Sequence, residues 1–138
     1  MDDAIPAELT EGAILRDREY AWEVSAFPIA LQRAPNLGYA CLGGQFWFLL
    51  QDGSLYEPFW LEAKPADRDA GEPWSEYAHR SCAEVLARFA ALAGTTDFDR
   101  EAGRFRSLES SFRLMFNAYF VTEQQFLALG LEDAKPRG

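Results

Sequence analysis

Six large aromatic side chains fall within fifteen residues of this sequence: Phe46, Trp47, Phe48, Tyr56, Phe59 and Trp60. Three carboxylates, Asp52, Glu57 and Glu62, flank them. Specific interfaces concentrate their energy in a few Trp, Tyr and Arg residues ringed by polar groups. Trp47, Tyr56 and Trp60 are therefore the candidate binding anchors, and Asp52, Glu57 and Glu62 the candidate rim. The same rings would also suit the wall of a small-molecule pocket. If covered, they are simply core. Strand alternation puts Phe46 and Phe48 on one face and Trp47 on the other, with Tyr56 and Trp60 opposed to Phe59. One face packs on helices. Whether the other is covered or exposed is left open by the residues alone.

Other chemistry finds little support. The chain has no GxSxG, GxxxxGK[ST] or HExxH pattern, so catalytic residues are not expected. Its single histidine, His79, lies at the margin of a helical stripe. A boundary histidine fits that place better than a general base working with a neighbour such as Glu76. One His and two distant Cys make no metal-ligand set, so neither metal nor cofactor is expected. Cys41 in an apolar strand and Cys82 on a helix stripe read as small core hydrophobes with reduced thiols. Gly43-Gly44 would cradle a phosphate only if a helix N-terminus followed. A strand follows, so the pair marks a bulge or a close backbone approach. Asp67, Asp69 and Glu72 lack calcium-loop spacing and form a solvated acidic edge, with recognition of a basic partner as the competing role.

Charge limits the partners. Against 13 Lys and Arg stand 22 Asp and Glu, a net charge of -9 over 138 residues. Nucleic acid and anionic membrane surfaces both demand a cationic footprint. The densest basic stretch, residues 100–113, is interleaved with Glu101 and Glu109. A charge of this sign serves solubility, and the competing role is to steer association with a basic protein partner. The 49% apolar and 14% aromatic content excludes disorder. No apolar run reaches the roughly 20 residues of a membrane span, and the acidic start Met1-Asp2-Asp3 has no apolar signal region. The expectation is a soluble cytoplasmic domain.

The elements that must position these residues form one α+β domain over residues 1–138, with about 1–18 and 132–138 irregular apart from one helical turn near the start. A short strand precedes Ser25, which caps a helix over residues 26–33 with Pro28 in its first turn. Residues 35–38 turn the chain. Residues 39–50 and 55–61 form a β-hairpin about Asp52-Gly53, the favoured pair for a type I′ turn, with Pro58 at an edge or bulge. Residues 62–72 are a loop. Pro73 opens a helix to about Ala93, with Ala78, Cys82, Val85, Leu86 and Phe89 on one stripe and Gly94 beyond its end. Glu76 with Arg80 and Glu84 with Arg88 form i,i+4 pairs. Thr95 or Thr96 caps a further helix with the stripe Phe98, Phe105, Leu108, Phe112, Met115, Phe116 and Tyr119. Thr122-Glu123-Gln124-Gln125 is a capping box for a last helix that ends at Gly130. The fold expected is α+β: a small antiparallel sheet centred on one aromatic β-hairpin and packed against three to four helices.

The segments Tyr39-Ala40-Cys41-Leu42-Gly43-Gly44-Gln45-Phe46-Trp47-Phe48 and Tyr56-Glu57-Pro58-Phe59-Trp60, the pI near 4.5 and the length resemble small acidic bacterial immunity proteins of polymorphic or contact-dependent toxin systems. The resemblance spans residues 25–65. It implies a cytosolic, non-enzymatic inhibitor that binds a basic toxin through acidic and aromatic residues, and it carries over no catalytic residue. Two other readings stay open. One is a small-molecule-binding or enzymatic α+β domain with a pocket between hairpin and helices. The other is a homodimer in which a second copy covers the aromatic ribbon.

Overall fold

Two long strands run antiparallel through the middle of the sheet, β3 (Ala40–Leu49) and β6 (Arg113–Val121), paired from Ala40 with Val121 to Leu49 with Arg113. The computed structural model describes residues 5–105 and 112–130. Around the central pair stand β1 (Ala13–Arg16), β2 (Glu19–Glu23), β4 (Leu55–Tyr56) and β5 (Glu62–Ala63). The strand order is β1-β2-β6-β3-β4, with β5 also paired to β3. Helices are α1 (Ala7–Thr10), α2 (Phe27–Arg33), α3 (Trp74–Thr95), α4 (Phe98–Ala102) and α5 (Glu123–Ala128), and a 3-10 turn (Ala34–Leu37) follows α2. The architecture is α+β.

The strand β6 corrects the largest expectation. The stripe from Phe98 to Tyr119 is not one helix: α4 stops after five residues, and Arg113–Val121 is extended. Leu108 and Glu109 lie outside the described residues. The segment RLMFNAYFV is apolar nearly throughout, and such a run satisfies helical and strand periods alike. Its aromatic content favours the pleated surface once partners exist on both sides, and β2 and β3 supply them. The cap of α4 is Asp97, whose side chain accepts from the Arg100 amide, rather than Thr95 or Thr96.

The hairpin differs from expectation in both turn and return strand. A type I′ turn needs positive φ at both central residues. Only Gly53 has it here, at 91°. The Gly53 amide donates to Leu50 O (3.0 Å) and the Leu50 amide to Ser54 O (2.9 Å), a three-residue loop with Gly53 as its bulge. Asp52 instead uses its carboxylate to accept from the Ser54 amide (2.8 Å). The turn with two positive φ values is at Asp17 (51°) and Arg18 (71°), which joins β1 to β2. Residues 13–16 are therefore a strand, not part of an irregular arm. The return strand, expected over 55–61, is two residues of β4 and two of β5, broken where Pro58 is buried and the Leu61 amide bonds Pro58 O (2.8 Å).

Smaller corrections concern helix ends and side-chain pairs. The N-cap of α2 is Ala26, with no side-chain cap, not Ser25. Helix α3 starts after Pro73 and runs through Gly94 to Thr95. Arg80 pairs with Glu72 (2.8 Å) and Glu84 (3.1 Å) rather than Glu76. The loop after β5 lies along α3, and Arg80 also donates to Asp67 O (3.0 Å). Arg88 donates to the Lys64 carbonyl and not to Glu84. The capping box of α5 forms as expected, with both reciprocal bonds present.

The main core lies between the sheet and α2, α3 and α4. Phe46 and Phe48 meet Phe27, Phe89, Phe98, Phe105 and Phe116 there, in rings such as Phe46–Phe116 (4.9 Å, 81°). Each edge-to-face pair adds about 0.5–1.5 kcal/mol to the area its rings bury. On the opposite face Trp47, Leu49, Met115 and Ala21 form a second cluster, closed by Ile14 from β1 and Leu55 from β4. Those two residues sit on strands at opposite ends of the sheet order, so the sheet curls around this face.

Candidate functional site

Beyond Trp47, the curled face stops being apolar. Gln45 on β3 stands opposite Asn117 on β6, one amide facing another in the middle of the sheet. Further along, Ala40 and Val121 are apolar again and are covered by Tyr77 of α3 and Phe126 of α5. Between the two apolar ends lies a cleft of about 370 Å³, lined by Glu19, Leu42, Gly43, Gly44, Gln45, Glu57, Glu62, Lys64, Asn117 and Tyr119.

Two glycines bring its walls together. The ladder between β3 and β6 shifts register between Cys41 and Gly44, the bulge anticipated for Gly43-Gly44. Gly43 has φ 97°, and a Cβ there would lie 2.4 Å from Ala63 O of β5. At Gly44 a Cβ would lie 1.7 Å from Asn117 O. Only glycine lets β5 and β6 approach this closely, and the approach sets Glu62 and Asn117 beside Gln45.

The polar groups of the cleft are mostly acceptors. Gln45 Nε2 donates to Glu57 Oε1 (2.8 Å), and Asn117 Nδ2 donates to Tyr20 O (2.8 Å). Lys64 faces Glu62 at 3.6 Å and is the one cation among the lining residues. The Tyr119 phenol is pushed up to about 12, first by burial and then by hydrogen bonding to Glu19 and the charges of Glu19 and Glu57. It stays protonated at neutral pH. Three carboxylates against one ammonium make a site for a cation or a donor-rich group, not for an anion.

The expected site residues scatter. Glu57 and Glu62 line the cleft. Trp47 does not: it is 2% exposed, and its Nε1 is buried without a hydrogen-bond partner among the described residues. Tyr56 is half-buried on the helix side, 5.1 Å from the Phe105 ring. Asp52 is exposed at the hairpin tip, its carboxyl held below the usual range by the Ser54 amide. Trp60 is 40% exposed, stacks on Phe105 (6.0 Å, 14°) and donates from Nε1 to Glu101 (2.9 Å). Phe59, 70% exposed, meets the Trp60 ring edge-on at 5.1 Å. Tyr56 and Trp60 both lie against Phe105 while Phe59 is turned to solvent, although the turn at Pro58 breaks the strand between them.

Glu19, Gln45, Asn117 and Tyr119 were not singled out by the sequence. A signal existed: each long strand carries one amide inside an apolar run, in ACLGGQFWFL and RLMFNAYFV. Those two amides are cross-strand partners.

The histidine and the two cysteines stand apart from the cleft. His79 is exposed on α3, its Nδ1 2.9 Å from Ser75 O, beside Gln32 and Pro35 in a separate shallow depression. No cluster of three His, Cys, Asp or Glu side chains among the described residues is placed to hold a metal ion. Cys41 and Cys82 are free and buried, and burial pushes both thiols up, Cys82 to about 12. Among the described residues no helix is long and apolar enough to cross a membrane. Phe46, Phe48 and Phe105 fill the space under the hairpin, while a smaller cavity of about 260 Å³ opens between Leu42 of β3, Tyr77 of α3 and Phe126 of α5. Comparison with family profiles, curated proteins and solved structures finds no significant match to this chain.

Proposed function

We propose that this chain is a non-enzymatic protein-binding module that takes a basic partner over residues 57–62 and the cleft beside them. One observation carries the reading. Within six residues, Glu57 and Glu62 line the acidic cleft while Phe59 and Trp60 stand exposed as a contiguous aromatic pair. Such a pair beside exposed carboxylates has the makeup of an interface centre and rim. The net charge of -9 supplies the long-range attraction. In its fuller form the reading is a cytoplasmic, immunity-type inhibitor of a basic toxin, which the resemblance of residues 25–65 supports.

The test is affinity capture with the full chain, followed by reconstitution of each captured protein in purified form. The expected partner is basic, and its association slows as salt screens the field. Phe59→Ala and Trp60→Ala should each weaken binding by on the order of 2 kcal/mol, mainly through faster dissociation. Glu57→Lys should mainly slow association at low salt. A partner that is acidic, or one whose affinity is unchanged in both aromatic variants, refutes the reading.

A further inference from the structure

We infer that the cleft between β2, β3 and β6 seats one arginine side chain of the basic partner. The inference rests on the reading of the chain as a protein-binding module and names the group that its acidic site recognises.

The acidity of the cleft does not carry this by itself. Asn117 does. Its side chain belongs to a residue only 2% exposed, yet it lines the cleft. Its Nδ2 is engaged by Tyr20 O at 2.8 Å, the only hydrogen bond of that side chain among the described residues. The acceptor end, Oδ1, takes no donor from the described residues and is open to the cleft rather than sealed in the core. An acceptor held open at an otherwise buried strand position suits a ligand that brings N–H groups.

Its cross-strand partner repeats the arrangement. Gln45 spends Nε2 on Glu57 at 2.8 Å, which turns its own oxygen free. Two amide oxygens on neighbouring strands, with the carboxylates of Glu19 and Glu57 beside them, form an array of acceptors fixed by the sheet. A guanidinium matches it: planar, permanently charged, with five donors in a rigid fork and no acceptor. An ammonium has three donors on one point, and Lys64 already places one against Glu62. The Tyr119 ring, 45% exposed, gives a wall over which a guanidinium can stack. A volume of about 370 Å³ is at the small end of ligand pockets, sized for one inserted side chain.

The probes are N-acetyl-arginine methylamide, the corresponding blocked lysine, and blocked citrulline, which keeps the shape of arginine without its charge. Each is titrated into the full chain while the side-chain amide signals of Gln45 and Asn117 are followed by NMR. Blocked arginine should shift both signals saturably, and more tightly than lysine; citrulline should not bind. Glu19→Gln should weaken arginine binding by about tenfold, the loss of one charge-assisted contact. It serves beside Asn117→Ala, which also removes a bond to Tyr20. Equal binding of citrulline, or no saturable shift at the two amides, overturns the inference.

With the reconstituted partner, replacing its arginines singly by lysine should expose one residue whose loss and Glu19→Gln are not additive. If Phe59→Ala weakens the complex while Glu19→Gln and Asn117→Ala leave it unchanged, the arginine seat is wrong and the module reading stands. If none of the three matters, both fall.

Discussion

Replacing Gly44 by alanine should open the sheet at its centre. The new Cβ would lie 1.7 Å from Asn117 O and 2.7 Å from the Ala118 Cα, where real contacts do not fall under 3.0 Å. Both obstacles are backbone, so no side chain can swing aside. β3 and β6 must part by more than 1 Å. A ladder bond that starts near 2.9 Å is then stretched to about 4 Å, beyond hydrogen-bonding range. Each buried backbone group left unpaired costs about 1–3 kcal/mol. With the two bonds nearest the site lost, the penalty is on the order of 3 kcal/mol or more, a large part of the 5–15 kcal/mol typical of a whole domain. Gly53→Ala is the matched control. Gly53 has φ 91° but nothing within 4 Å of a new Cβ, so only backbone strain of about 1–2 kcal/mol applies. Urea unfolding followed by tryptophan fluorescence measures both. A Gly44→Ala protein within 1 kcal/mol of wild type, or no worse than Gly53→Ala, would refute the close approach of β3 and β6 and with it the floor of the cleft.

Three further outcomes are expected. Hydrogen bonding to Arg80 lowers the Glu72 carboxyl from 4.5 to about 2. Because the folded value is the depressed one, this stability is present above pH 4.5 and is lost as pH falls toward 2. Arg80→Ala should therefore cost on the order of 2 kcal/mol near neutral pH, with the deficit shrinking below pH 4.5; a deficit that stays constant down to pH 3 would contradict the pairing. Cys41 and Cys82 should resist a disulfide thiol reagent in the native state and react only at the rate of unfolding, since both thiols are buried and raised; rapid labelling without denaturant would disprove that packing. Acrylamide should quench Trp60 far more than Trp22 or Trp47, which are 0% and 2% exposed, with half-buried Trp74 between them, so Trp60→Phe should remove the largest single share of the quenchable emission.

Features written in adjacent residues were legible. The capping box at Thr122 and Gln125, the stripe of α3 through Ala78, Cys82, Val85 and Phe89, and the split of Phe46 and Phe48 from Trp47 all follow from spacing within a few residues. The Gly43-Gly44 irregularity was legible as well, because two glycines in an apolar strand have few other uses. The turn at Gly53 was legible in place but not in type, since the Asp52 side chain diverts the local bonding.

The cleft was only half legible. Glu57 and Glu62 stand in the segment that draws attention, but Asn117 and Tyr119 lie in a run whose apolar content fits either period. That run became a strand because β2 and β3 flank it, and its Asn117 meets a carbonyl 97 positions away. Local propensity spans about 1 kcal/mol across residue types, whereas pairing on both edges and burial on both faces outweigh it many times over. Exposure was decided the same way. Nothing in the residues distinguishes Trp47 from Trp60, both aromatic and both beside the hairpin. The curl of the sheet closes Ile14 and Leu55 over the first, and the turn at buried Pro58 lifts the second toward solvent. Composition and short spacing thus set the charge, the helices and the aromatic ribbon. Which rings face water, and which acids face each other, depended on strands that meet only after the whole chain has folded.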